Sequence, residues 1–190
     1  MSHGFDFTAH IERLCRDMVA TTAELRHIDM NQVGVGFRQT RKPVQHGMYA
    51  SLTPLRFENG EMITRRRGRS WRIERLRDPD GREILYVLNF YLPRFLDLPF
   101  REKLITIFHE LWHIGPRFDG DLRRHAGRCY AHGSSKTEYD SEMECLLDGW
   151  LARKPPESSY AFLRASFRDL HFAHGAIVGR RWPRARLLPA

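Results

Sequence analysis

His109-Glu110-Leu111-Trp112-His113 sets two imidazoles four residues apart, with a carboxylate next to the first. On a helix, residues i and i+4 lie one above the other, so both rings can turn toward a single ion. Imidazole suits zinc, and a glutamate beside the pair can touch water at the same centre without joining the ligand set. Two ligands and a proton acceptor together suit hydrolysis of a peptide bond. With 10 His and 12 Glu in 190 residues, the pattern arises by accident in ~3 chains per hundred of this composition. The bland alternative is a pair of core histidines that only packs.

Catalytic zinc takes three protein ligands and leaves a fourth position open, so the residues after His113 must supply one more. Asp119 stands six residues past His113, the spacing of a metzincin-like ligand, but Pro116 occupies the place where that pattern has glycine. His125 follows a loop long enough to fold back over the helix, and His132 lies seven residues further. A glutamate of the following helix, Glu138 or Glu142, would make a gluzincin-type site. The residues alone leave these alternatives open. Tyr130, His132 and Tyr139 are candidates for stabilising a developing oxyanion.

The elements that must position these groups can be read from periodicity. Ile11, Leu14, Cys15, Met18 and Val19 form a helical stripe within Phe7–His27. From Gln32 the period shortens: Val33, Val35 and Phe37 alternate with small residues. Met48–Phe57 and Ser70–Leu76 give further strand-like runs. Asp78-Pro79-Asp80-Gly81 is a turn that leads into Ile84–Leu92, and these strands together predict a small antiparallel sheet. Asp97 is placed to cap the next helix, which carries Leu104, Ile105, Phe108, Leu111 and Trp112 and ends at Gly115-Pro116. Helices are expected again over Lys136–Arg153 and Tyr160–Phe172, before a basic tail from about residue 175 that can dock or stay loose. The fold class is therefore α+β: an N-terminal helix, a small antiparallel sheet, the His-Glu-x-x-His helix and C-terminal helices, in one domain over residues 1–190.

Composition sets limits on function. Hydrophobic content of 42% without low-complexity tracts describes a globular chain. No apolar run nears the roughly 20 residues that a membrane helix needs, and the first residues lack the order of a signal peptide. A cytoplasmic protein with no membrane partner is the expectation. Cys15, Cys129 and Cys145 contain no Cys-x-x-Cys pair and read as reduced thiols. The net charge of +8 favours acidic partners. It is densest over Arg65–Arg77, where seven arginines meet one glutamate and interleave with Trp71 and Ile73. Arg65, Arg66, Arg67 and Arg69 are the candidate nucleic-acid contacts. The alternative is a solvated strand edge guarded by charge.

The stretch from His109 to His125 resembles the signature of the phage-type metallopeptidase family, in which His-Glu-x-x-His precedes a Phe-x-Gly-x-Leu-Arg-x-His segment; Phe118, Gly120, Leu122, Arg123 and His125 match it. The likeness covers most of the chain and thins after Arg153. More distantly, the layout is similar to SprT-like and minimal zincin domains. The resemblance implies a zincin-like domain with zinc on His109 and His113, Glu110 as the catalytic carboxylate and His125 as the favoured third ligand, His132 being the reserve. The expected activity is a zinc-dependent peptidase acting on a peptide or protein. The rivals are a nucleic-acid-associated zinc protein, a protease acting on DNA-bound proteins, and another metal hydrolase.

Overall fold

The computed structural model describes residues 4–40, 47–124 and 136–190, with backbone alone for 136–140. In chain order the elements are β1 (Phe5–Asp6), α1 (Phe7–Thr21), β2 (Val33–Gln39), β3 (Ala50–Pro54), β4 (Ile63–Arg66), β5 (Arg69–Ile73), β6 (Leu76–Arg77), β7 (Glu83–Ile84) and β8 (Tyr86–Leu92). They continue with α2 (Phe100–Trp112), α3 (Lys136–Ala152), α4 (Glu157–Tyr160), α5 (Phe167–His174), β9 (Ile177–Val178) and β10 (Leu187–Pro189). No helix among the described residues is long and apolar enough to cross a membrane.

The α+β class holds, but the expected antiparallel sheet is mixed. Its strand order is β2-β8-β3, with β2 parallel and β3 antiparallel to β8. The cause lies in β8, whose sequence YVLNFYL is apolar at nearly every position and buried on both faces, which suits the central place. Tyr86, Leu88 and Phe90 face the helices. Phe7 of α1 meets the rings of Phe37 and Phe90 edge-on, and Phe108 of α2 meets Trp150 of α3 in the same way. On the opposite face the tail is docked. Trp182 lies over β2 so closely that a Cβ at Gly34 or Gly36 would stand 2.5 or 3.0 Å from the indole. Its Nε1 donates to the Val35 carbonyl at 3.1 Å. The valine-glycine alternation of β2 is thus a seat for Trp182.

Helix boundaries differ from the periodic reading for local reasons. α1 stops at Thr21, and a 3-10 turn carries the chain through Ala23–Leu25. Pro99, not Asp97, precedes α2, while the Asp97 carboxylate accepts the Phe167 N–H and ties α5 to this corner. α2 ends before Gly115, with His113 as its last half-helical residue. The helix expected over Tyr160–Phe172 is broken, because Ser166 and Asp169 form a capping box that starts α5 afresh. The arginine-rich run is also two strands. β4 and β5 make a hairpin across Arg67 and Gly68, and β10 adds to its other side in the order β10-β5-β4.

Candidate metal centre

α2 delivers His109 and His113 from its last turn, on one side of the helix. Their Nε2 atoms stand 3.0 Å apart, with ring planes at 82°. Two nitrogens bound to one zinc at ~2.0–2.1 Å and a tetrahedral angle stand about 3.3 Å apart, so the pair converges almost as a shared ion would require. A hydrogen bond between neutral rings has the same length. The position at the C-terminal end of α2 also favours a cation, since the last carbonyls carry partial negative charge.

Glu110 faces another way. It is 8% exposed, and its carboxylate lies against the backbone N–H of Leu52 in β3. The strand register explains this contact. Tyr91 N–H donates to Tyr49 C=O, and Leu55 N–H to Leu85 C=O. Odd-numbered residues of β3 therefore carry the bonds to β8, and Ala50, Leu52 and Pro54 turn their main-chain groups outward. The outward edge of β3 runs beside α2 at Glu110. Burial pushes the Glu110 carboxyl up to about 7, against the opposing effect of the Leu52 N–H. A cation held by the neighbouring histidines would pull it down again.

After α2 the chain doubles back. Ile114 bridges Leu122, Gly115 N–H donates to Asp121 C=O at 3.1 Å, and Arg123 N–H donates to His113 C=O at 2.7 Å. The Arg123 guanidinium lies 4.0 Å over the Trp112 ring and its Nε donates to the Trp112 carbonyl. Phe118 is in the left-handed region with φ 51 and packs on Tyr86 at 5.3 Å. Gly120 has φ 89, and a Cβ there would meet the Arg56 side chain at 2.4 Å, so glycine is required twice over. The loop is clamped from β8 by the Tyr86 hydroxyl and from the 58–60 turn by Asn59, whose N–H donates to Asp121.

These contacts decide where the predicted ligands stand. His109 and His113 are together. The Asp119 carboxylate pairs with Arg117 at 2.9 Å and accepts the Asp121 N–H. Among the described residues no three His, Cys, Asp or Glu side chains form a group that could hold a metal ion. Glu142 on α3 is exposed. His125, His132 and Tyr130 lie outside the described residues, as do the side chains of Glu138 and Tyr139. Tyr86 and Leu52 are contributors that no motif in the sequence marks. A buried tyrosine announces that its hydroxyl needs a partner, whereas a backbone N–H leaves no mark in residue type. Arg65, Arg66 and Arg69 sit in a different sheet from the one that contacts Glu110, with Arg67 at the turn of the same hairpin, and all four are exposed. Compared with protein-family models, curated proteins and solved structures, the chain matches none.

Proposed function

We propose that the chain is a zinc-dependent peptidase. The carrying observation is the convergence of His109 and His113 to 3.0 Å beside a buried Glu110 that lies against the edge of β3, which is unpaired among the described residues. In this reading His109 and His113 hold the ion, and a third ligand comes from the chain after Pro116. His125 is preferred, being two residues along the chain from Arg123, whose N–H is bonded to His113; His132 and Asp119 are the alternatives. Zinc would supply the Lewis acidity that makes water acidic near neutral pH and polarises a scissile carbonyl.

Glu110 then accepts a proton from the attacking water and passes it to the leaving amine. Burial favours this work, because a carboxylate with little water around it is a stronger proton acceptor. The Leu52 N–H keeps the side chain oriented. An extended substrate would add to the sheet along β3, using the outward groups of Ala50 and the Leu52 carbonyl. The arginine-rich hairpin belongs to another sheet and is not part of this edge. Tyr130, His132 and Tyr139 remain the candidates for the oxyanion.

The test is metal analysis of protein purified without a histidine tag, followed by cleavage of a mixed peptide library. About one zinc per chain, with cleavage abolished by chelation and restored by zinc, is the expected result. Metal-free protein that gains no thermal stability from added zinc would overturn the reading.

A further inference from the structure

We infer that the β4–β5 hairpin is an arm that enters a groove of duplex DNA, independently of whether the histidine pair binds metal. The register sets Arg66 opposite Arg69, Arg65 opposite Ser70, and Ile63 opposite Arg72. Residues directly opposite share a face of the ribbon. Arg66 and Arg69 therefore lie on one face, Arg65 and Arg72 on the other, and Arg67 at the turn. β10 pairs with β5 only across Trp71–Ile73, with Ala190 N–H reaching the Ser70 carbonyl. Beyond that the hairpin is a bare two-stranded ribbon among the described residues. All five arginines are exposed, and none forms an ion pair among the described residues. Glu74, the carboxylate just past β5, is taken by Arg186 at 2.9 Å.

Arginine is chosen here against local stability. Like charges directly opposite across a strand pair repel, which is the arrangement of Arg66 and Arg69. Arg67 has φ 50 and Gly68 φ 74, the conformation of a two-residue hairpin turn whose first position belongs to Asn, Asp or Gly. An edge strand that needed only solubility could be guarded by one lysine or by mixed charges. A polyanion in contact with both faces and the tip removes the conflict.

That distribution also selects the polyanion. Guanidinium groups on two faces suit a cleft with phosphates on both walls, and the major groove of B-form DNA admits a two-stranded ribbon. The corresponding groove of duplex RNA is too narrow and deep. A single strand would be met by one face carrying aromatic platforms. Contacts made by guanidinium groups to phosphates are sequence-independent and steeply sensitive to salt.

The experiment measures binding of the full chain to a fluorescent mixed-sequence DNA duplex between roughly 50 and 200 mM salt. Five phosphate contacts predict a log-log slope of about −4.5. Replacing Arg65, Arg66, Arg67 and Arg69 with serine should weaken binding at low salt at least ~10-fold and flatten the slope to about −1. Arg67→Asn supplies a second readout that does not risk the fold. It should raise Tm by about 1–3 °C while weakening duplex binding severalfold. Unchanged affinity of the folded fourfold variant would overturn the proposal. So would tighter binding to single-stranded DNA, duplex RNA or anionic vesicles than to duplex DNA, or a loss of stability in Arg67→Asn.

Discussion

The Tyr86 hydroxyl donates to the Asp121 carbonyl at 2.8 Å and accepts the Gly120 N–H at 2.9 Å, so the central strand of the sheet holds the loop that follows the histidine helix. Burial pushes the phenol up to about 12, which keeps it protonated and able to donate at physiological pH. The same Asp121 carbonyl accepts the Gly115 N–H. One fully buried side chain thereby closes the fold-back that brings Arg123 onto His113.

Tyr86→Phe removes both bonds without changing the packing on Phe118. It leaves the Gly120 N–H without a partner, at an expected cost of about 1–3 kcal/mol in denaturant unfolding. Hydrogen exchange at Gly120 should quicken while exchange along β2 stays slow. Slow exchange at Gly120 in the variant would show that the turn is held by other contacts.

Asp121 makes the loop acid-sensitive. Burial raises its carboxyl, but hydrogen bonds from Arg124, Asn59 N–H and Leu122 N–H outweigh that and hold it below its ordinary value of 3.8. A carboxylate whose pKa is depressed by folding contributes stability that is present above the unfolded value and is lost as pH falls through the folded one. Asp121→Asn should therefore lower Tm near neutral pH, and its difference from the parent should close below about pH 4. A difference that persists undiminished in acid would mean that the side chain's shape, not its charge, holds the loop.

How much of this was legible depends on distance along the chain. The convergence of His109 and His113 follows from a period of 3.6 and was readable, and so was the Asp78–Gly81 turn, where the Asp78 side chain accepts from Asp80 and Arg82. The Glu110 contact with Leu52 was not, because a main-chain donor on a remote strand has no residue signature. The parallel pairing of β2 with β8 was hidden for a related reason: both strands are compatible with either direction, and the central place of β8 decides it. The Arg67-Gly68 turn escaped notice because arginine seldom adopts positive φ. Phe118, Gly120, Leu122 and Arg123, read as part of a metallopeptidase signature, each have a visible task in the loop fold-back.

The third ligand can be resolved by substitution. On the proposed reading, His125→Ala should lower zinc affinity steeply. His132→Ala should keep the metal and change turnover. Asp119→Ala should keep it too, since its carboxylate is occupied by Arg117. Metal content after dialysis reads all three, and loss confined to His132→Ala or to Asp119→Ala reassigns the ligand to that residue.

Glu110→Gln separates catalysis from metal binding. Glutamine has the same length and can still present its amide oxygen to the Leu52 N–H, so β3 and α2 should stay in register. Because burial disfavours the carboxylate, the neutral amide should leave stability unchanged or slightly raised. Zinc should remain, as the ion is assigned to His109, His113 and a third ligand. What disappears is a base for the proton of the attacking water, a loss worth roughly a hundredfold to ten-thousandfold in rate. The expected protein is folded, zinc-loaded and inert toward whatever peptide the parent cleaves. Parental turnover by the variant would remove Glu110 from the reaction, and loss of zinc would make the carboxylate a ligand and require the site to be redrawn around it.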